Sequence, residues 1–216
     1  MEIVGVIGNS QVKIALGDLT QMKADAYVVP QFSEGASYGG VGGAIARSGA
    51  SKGVEAYEAF VETQGTLNFS SVVMTESGGG NAKHLLHVVS VGSPRADEFT
   101  TVRNGFLNAL HTAAEHGCRC VVAPAMGTGI IGQLTSEQSA RAMMSAINQY
   151  GLDGGVDLSV SLVIFGDQTA YDAFNQVLKS RSYVSSTVEP GAREIDVGRW
   201  FVEMNSDLIA NKRAFG

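Results

Sequence analysis

Two stretches of this chain carry residue types that could do chemistry. The first, VVPQFSEGASYGGVGGAI, covers residues 28–45; the second, PAMGTGIIG, covers residues 124–132. Each follows an apolar, strand-like run. Glycines let a backbone approach a phosphate closely and turn successive N–H groups inward as an anion-binding nest; they also make plain turns. Gly127, Gly129 and Gly132 fit G-x-G-x-x-G, but a dinucleotide fold would begin its helix inside that motif. Here the start signal comes later, at Thr135 and Gln138, and the preceding strand is the sixth expected. In LGDLT, Asp18 stands in a tight connection, either as a turn or cap aspartate or as an acceptor for an amino group of a bound base. Phe165 closes the last expected strand, as a core residue or as a platform for a base, a contact worth about 1–3 kcal/mol.

Other chemistries find little support. His84 and His87 face opposite sides of an expected strand, and His111 and His116 are poorly spaced, so no metal site is expected. No lysine is placed as in a P-loop. No cofactor is implied. Cys118 and Cys120 are too close along a strand for an unstrained bridge and read as reduced core residues, as in a cytoplasmic protein. A net charge of -6 without a basic cluster makes strong nucleic-acid binding an unsuitable role. No apolar run nears the ~18 residues of a membrane span, and the N-terminus lacks a signal-peptide pattern.

The elements that must position these residues follow from periodicity. Strand-like runs cover residues 2–7, 11–16, 25–29, 70–75, 85–91, 119–125 and 158–165. Several are almost continuously apolar, as in strands covered on both faces. Helical patterns start near Gly39, Phe99, Thr135 and Thr169; Thr135 and Gln138 have capping-box spacing, and Gly117 stops the second pattern. Strands alternating with helices imply an α/β domain with a largely parallel sheet. It is expected to span residues 1–180. Residues 181–216 form an extension, broken at Pro190-Gly191, with Val197, Trp200, Phe201, Met204, Leu208 and Ile209 as an apolar helical stripe. That stripe docks on its own domain or joins copies into a homo-oligomer.

The order of these pieces resembles a macro domain, the ADP-ribose-binding fold, over about residues 12–180. The marks are GDLT (17–20), DAYVV (25–29), GGVGGAIARSGA (39–50), HLLHVVSVG (84–92), APAMGTGIIG (123–132) and LVIFGD (162–167). The resemblance implies a three-layer α/β/α sandwich with a mixed sheet. It implies that Asp18 and Leu19 take adenine, with Phe165 beside it. Gly39, Gly40 and Val41 lie around the distal ribose and diphosphate, and Gly127, Thr128, Gly129, Ile130 and Ile131 form the phosphate loop. The partners implied are a small ADP-ribose-like ligand and ADP-ribosylated proteins.

The departures matter as much. Where the family often has Asn-Ala-Ala-Asn, this chain has Val29, Pro30, Gln31 and Phe32. Phe32 is still counted among the ligand-lining positions, although it cannot make the hydrogen bonds of an asparagine. Family hydrolases often carry an aspartate after Gly-Gly-Val; here it is Gly42. Ser33, Glu34 and Tyr38 are the remaining candidates for proton transfer, or else rim residues. Three readings follow: a binding module for ADP-ribose or a related adenine diphosphate, a hydrolase of ADP-ribosyl adducts with a rebuilt loop, and a scaffold acting through the tail.

Overall fold

In a computed structural model, residues 3–92, 97–181 and 183–184 are described. The strands are β1 (Ile3–Ile7), β2 (Ser10–Leu16), β3 (Ala24–Phe32), β4 (Val72–Glu76), β5 (Ala82–Val91), β6 (Cys120–Pro124), β7 (Ser159–Ile164) and β8 (Tyr183–Val184). They form one mixed sheet in the order β4-β5-β3-β6-β7-β2-β1-β8. The five strands β5, β3, β6, β7 and β2 run parallel, while β4, β1 and β8 pair antiparallel at the flanks. The helices are α1 (Gly40–Ile45), continued by a π-turn at Ala46–Ala50, then α2 (Ser51–Gln64), α3 (Glu98–Glu115), α4 (Ser136–Leu152) and α5 (Gln168–Arg181).

Alternation along the strands builds two cores. Val28, Leu86, Val88, Val121, Ala123 and Leu162 face one way and meet Phe106, Leu110, Met143, Ile147 and Phe174 of α3–α5. Their neighbours Tyr27, Val29, Leu85, Val122 and Val163 face the other way, onto Ile45, Val54 and Ala50. The result is the expected α/β/α sandwich. The capping box at Thr135 and Gln138 is present, and Gly117 ends the α3 segment with a positive φ.

Four features differ from the sequence reading. α2 was not expected: its stripe of Val54, Tyr57 and Val61 is narrow and lies behind a glycine-rich run. β3 continues past Pro30 to Phe32. Pro30 is tolerated because β3 pairs with β6 only at Ala26 and Tyr27, so beyond Tyr27 that side is a free edge. Cys118 is buried ahead of β6, whereas Cys120, at the strand's start, is half-buried; both are free thiols. β8 lies beyond Ser180 and pairs with β1. The apolar stripe from Val197 to Ile209 lies outside the described residues. No helix among them is long and apolar enough to cross a membrane.

At the N-terminal edge of the sheet, Asp25 joins three strands. Its carboxylate accepts from the Arg119 and Cys120 amides at 2.9 and 3.0 Å and from Lys83 Nζ at 2.8 Å. The Lys83 bond, then the Arg119 amide, lower its pKa to about 2. A depressed carboxylate pKa gives stability that is present above the unfolded value and lost as pH falls through the folded one. Asp25→Asn is therefore expected to cost about 1–2 kcal/mol at pH 7, and its deficit against the parent to shrink between pH 4 and pH 2 in denaturant titrations.

Candidate functional site

The carboxyl ends of β3, β6, β7 and β2 lie side by side. The segments leaving them are, in that order, the first glycine loop, the second glycine loop, Phe165 and Asp18. Three strand spacings of ~4.8 Å put the outermost two of these segments about 14 Å apart. β3 leads outward to β5 and β6 leads to β7 on the other side, so the strand order reverses between β3 and β6. Ligands of open α/β sheets bind at such a reversal.

The second loop is held by its ends, which leaves its middle free to bind. The Leu134 amide donates to Gly127 O at 3.1 Å, Gly132 N to Gly129 O at 2.8 Å, and Ser139 Oγ to Met126 O at 2.6 Å. Buried Glu98, at the start of α3, accepts from the Gln133 amide at 2.7 Å. Gly127 has φ +78°, a conformation that side chains resist. Between these ties, the amides of Thr128, Gly129 and Ile130 donate to no protein acceptor among the described residues. Consecutive free N–H groups on a fixed loop suit an anion.

The first loop is packed down onto α1. Gly39 caps the helix, and the first-turn amides of Gly40 and Val41 have no intrahelical acceptor. A Cβ at Gly42 would stand 2.0 Å from Ser37 O, and one at Gly43 would stand 2.2 Å from Tyr38 O. Position 42 therefore has no room for a carboxylate. Beneath the loop, Glu58 of α2 accepts from the Ala36 amide, and Leu67 N donates to Ser33 O at 2.9 Å. Glu34 and Tyr38 are exposed at the rim and Ser33 is half-buried. Partial desolvation, with Glu58, Glu55 and Glu62 nearby, pushes the Tyr38 phenol up. Half-buried Phe32 turns toward Gly92 and Phe69, since a Cβ on that glycine would stand 3.8 and 3.9 Å from the two rings.

Asp18 is a cap aspartate with one carboxylate oxygen left over. Its Oδ1 caps the short 3₁₀ turn Leu19–Gln21, accepting from Thr20 N at 2.9 Å and Thr20 Oγ1 at 2.8 Å. Its Oδ2 has no protein donor among the described residues. Leu19 is buried beneath it. Phe165 is 80% exposed, so it is not a core residue. Tyr38, Ile130 and Ile131, on the two glycine loops, are exposed as well. Sequence reasoning missed Glu58, Glu98 and the buried pair of Gln31 and His87. The available signal was a polar residue inside each of two apolar strands.

The family model for the Macro domain matches residues 28–143. A Pyrobaculum aerophilum protein is 30% identical over 175 residues, 80% of this chain and 93% of its own. An O-acetyl-ADP-ribose deacetylase of Enterobacter is 31% identical over 124 residues, 56% of this chain and 69% of that enzyme. The Oceanobacillus iheyensis macrodomain with ADP superposes with a TM-score of 0.73 at 19% identity, covering 83% of this chain and 96% of that one.

The crowding above Gly42 gives a direct check. Gly42→Ala is expected to cost about 1–3 kcal/mol as overpacking, several degrees in thermal midpoint. Gly39→Ala, with open space around the new methyl group, is expected to cost under about 1 kcal/mol.

Proposed function

The chain belongs to the Macro domain family, and on that premise we propose that it binds ADP-ribose, or a related adenine diphosphate, between its two glycine loops without hydrolysing it. The observation that carries this reading is the set of unpartnered amides at Thr128, Gly129 and Ile130, held in place from both ends of their loop. They would take the diphosphate on one side, with the first-turn amides of α1 on the other. Backbone donors suit a protein with a net charge of -6, because they supply no mobile cation. At the far end of the cleft, Asp18 Oδ2 would accept from the adenine amino group, and the ring would stack on Phe165. The Oceanobacillus iheyensis macrodomain is solved with ADP, the part of the ligand these groups would hold.

Binding is preferred over hydrolysis for a steric reason. Ser37 O occupies the space a carboxylate at position 42 would need. Among the described residues, the exposed Glu34 has no partner that would orient it as a base. General acid–base catalysis needs a group within hydrogen-bond reach of the reacting atom, and this loop presents none in a fixed position.

Calorimetry with ADP-ribose tests the reading. Measurable affinity is expected, whereas no heat at millimolar ligand removes it, since even ~1 mM affinity corresponds to about -4 kcal/mol. Asp18→Asn keeps an oxygen for Thr20 but turns a donor toward adenine. It is expected to weaken binding about tenfold or more, as for a lost hydrogen bond to a charged group. Phe165→Ala is expected to weaken it about five- to hundredfold through lost stacking.

A further inference from the structure

We propose that Gln31 is the positioning residue of this cleft: a one-way chain of hydrogen bonds through its side-chain amide holds the first loop down on α1. It thereby governs how the ligand beyond the diphosphate is held. The inference rests on the ADP-ribose reading for its ligand and on geometry alone for the loop.

The chain begins in the loop. The Ser37 amide can only donate, and it meets Gln31 Oε1 at 2.5 Å. That fixes the orientation of the Gln31 amide, whose Nε2 then faces His87 Nδ1 at 2.9 Å and must donate to it. His87 therefore carries its single proton on Nε2, which lies 2.9 Å from Thr75 Oγ1. The Thr75 hydroxyl in turn donates to Gly53 O at 3.1 Å. Each link pairs one donor with one acceptor, and the direction cannot be reversed because it starts at a backbone N–H. The chain crosses from the loop through β3, β5 and β4 to α2.

The setting keeps it fixed. Gln31 and His87 have no exposed surface. The imidazole stacks on Tyr57 with ring centres 4.6 Å apart, and the Tyr57 hydroxyl donates to Phe32 O at 2.8 Å. Burial lowers the His87 pKa to about 3, which keeps Nδ1 an acceptor. Ser37 lies between the two constraints: its amide is drawn to Gln31, and its carbonyl lies over Gly42. Releasing Gln31 frees the residue that roofs the first turn of α1.

Gln31→Met keeps the length of the side chain and removes both hydrogen bonds. Amide exchange is measured on the full chain without ligand, and affinity for ADP-ribose and for AMP by calorimetry. The expected result is at least tenfold faster exchange at residues 36–38, with α3–α5 unchanged. ADP-ribose affinity falls about tenfold, while AMP, which reaches only the adenine end, binds as before. Unchanged loop exchange, or equal weakening of both nucleotides, overturns the proposal. If the parent protein binds neither nucleotide, the ADP-ribose reading falls and the exchange result alone decides the role of Gln31. Should Gln31→Met fail to fold, Thr75→Val breaks the half-buried far end of the chain. Faster exchange at residues 36–38 is then expected, and no change there overturns the proposal.

Discussion

The hydrogen-bond ladder between β3 and β6 stops at Tyr27 and Val122. The rest of the site depends on that break. β3 turns toward β5 and continues to Phe32, while β6 stays with β7 and ends at Pro124. The two strands part where the sheet changes direction, and each delivers a glycine loop to one side of the gap. Pro30 marks the same event chemically. It could not sit in a strand paired on both sides, and here it needs to pair on only one.

Each loop then has its own anchor, and the anchors come from opposite faces of the sheet. Glu98 of α3 holds the second loop from the thicker helical layer, and Glu58 of α2 holds the first loop from the thinner one. Both carboxylates accept backbone N–H bonds at the loop bases, leaving the loop tips to present amides. An acidic protein can thus offer a local anion site whose donors are peptide groups. The buried path from Ser37 through His87 adds a third anchor, running across the sheet.

Much of this was legible in the sequence, and the limits have physical causes. Near-continuous apolar runs gave a sheet covered on both faces, and the order of the motifs gave the sandwich and the places of Asp18, Phe165 and both loops. α2 was hidden because Val54, Tyr57 and Val61 make a thin stripe beside Gly49 and Gly53. The end of β3 was hidden because Pro30 reads as a stop unless the strand is known to be an edge there. Gln31 and His87 stand 56 residues apart, so only the parallel pairing of β3 with β5 brings them together. The reason for glycine at position 42 was equally out of reach, because it depends on where Ser37 O falls.

The most direct measurement is an amide shift map of the labelled protein titrated with ADP-ribose. The expected result is saturable shifts concentrated at Thr128, Gly129, Ile130, Gly40 and Val41, with smaller ones at Leu19 and Gly166. Shifts concentrated at the opposite edge of the sheet, around Lys23, Asp25 and Lys83, or no shifts at millimolar ligand, would contradict a diphosphate cleft between the two loops.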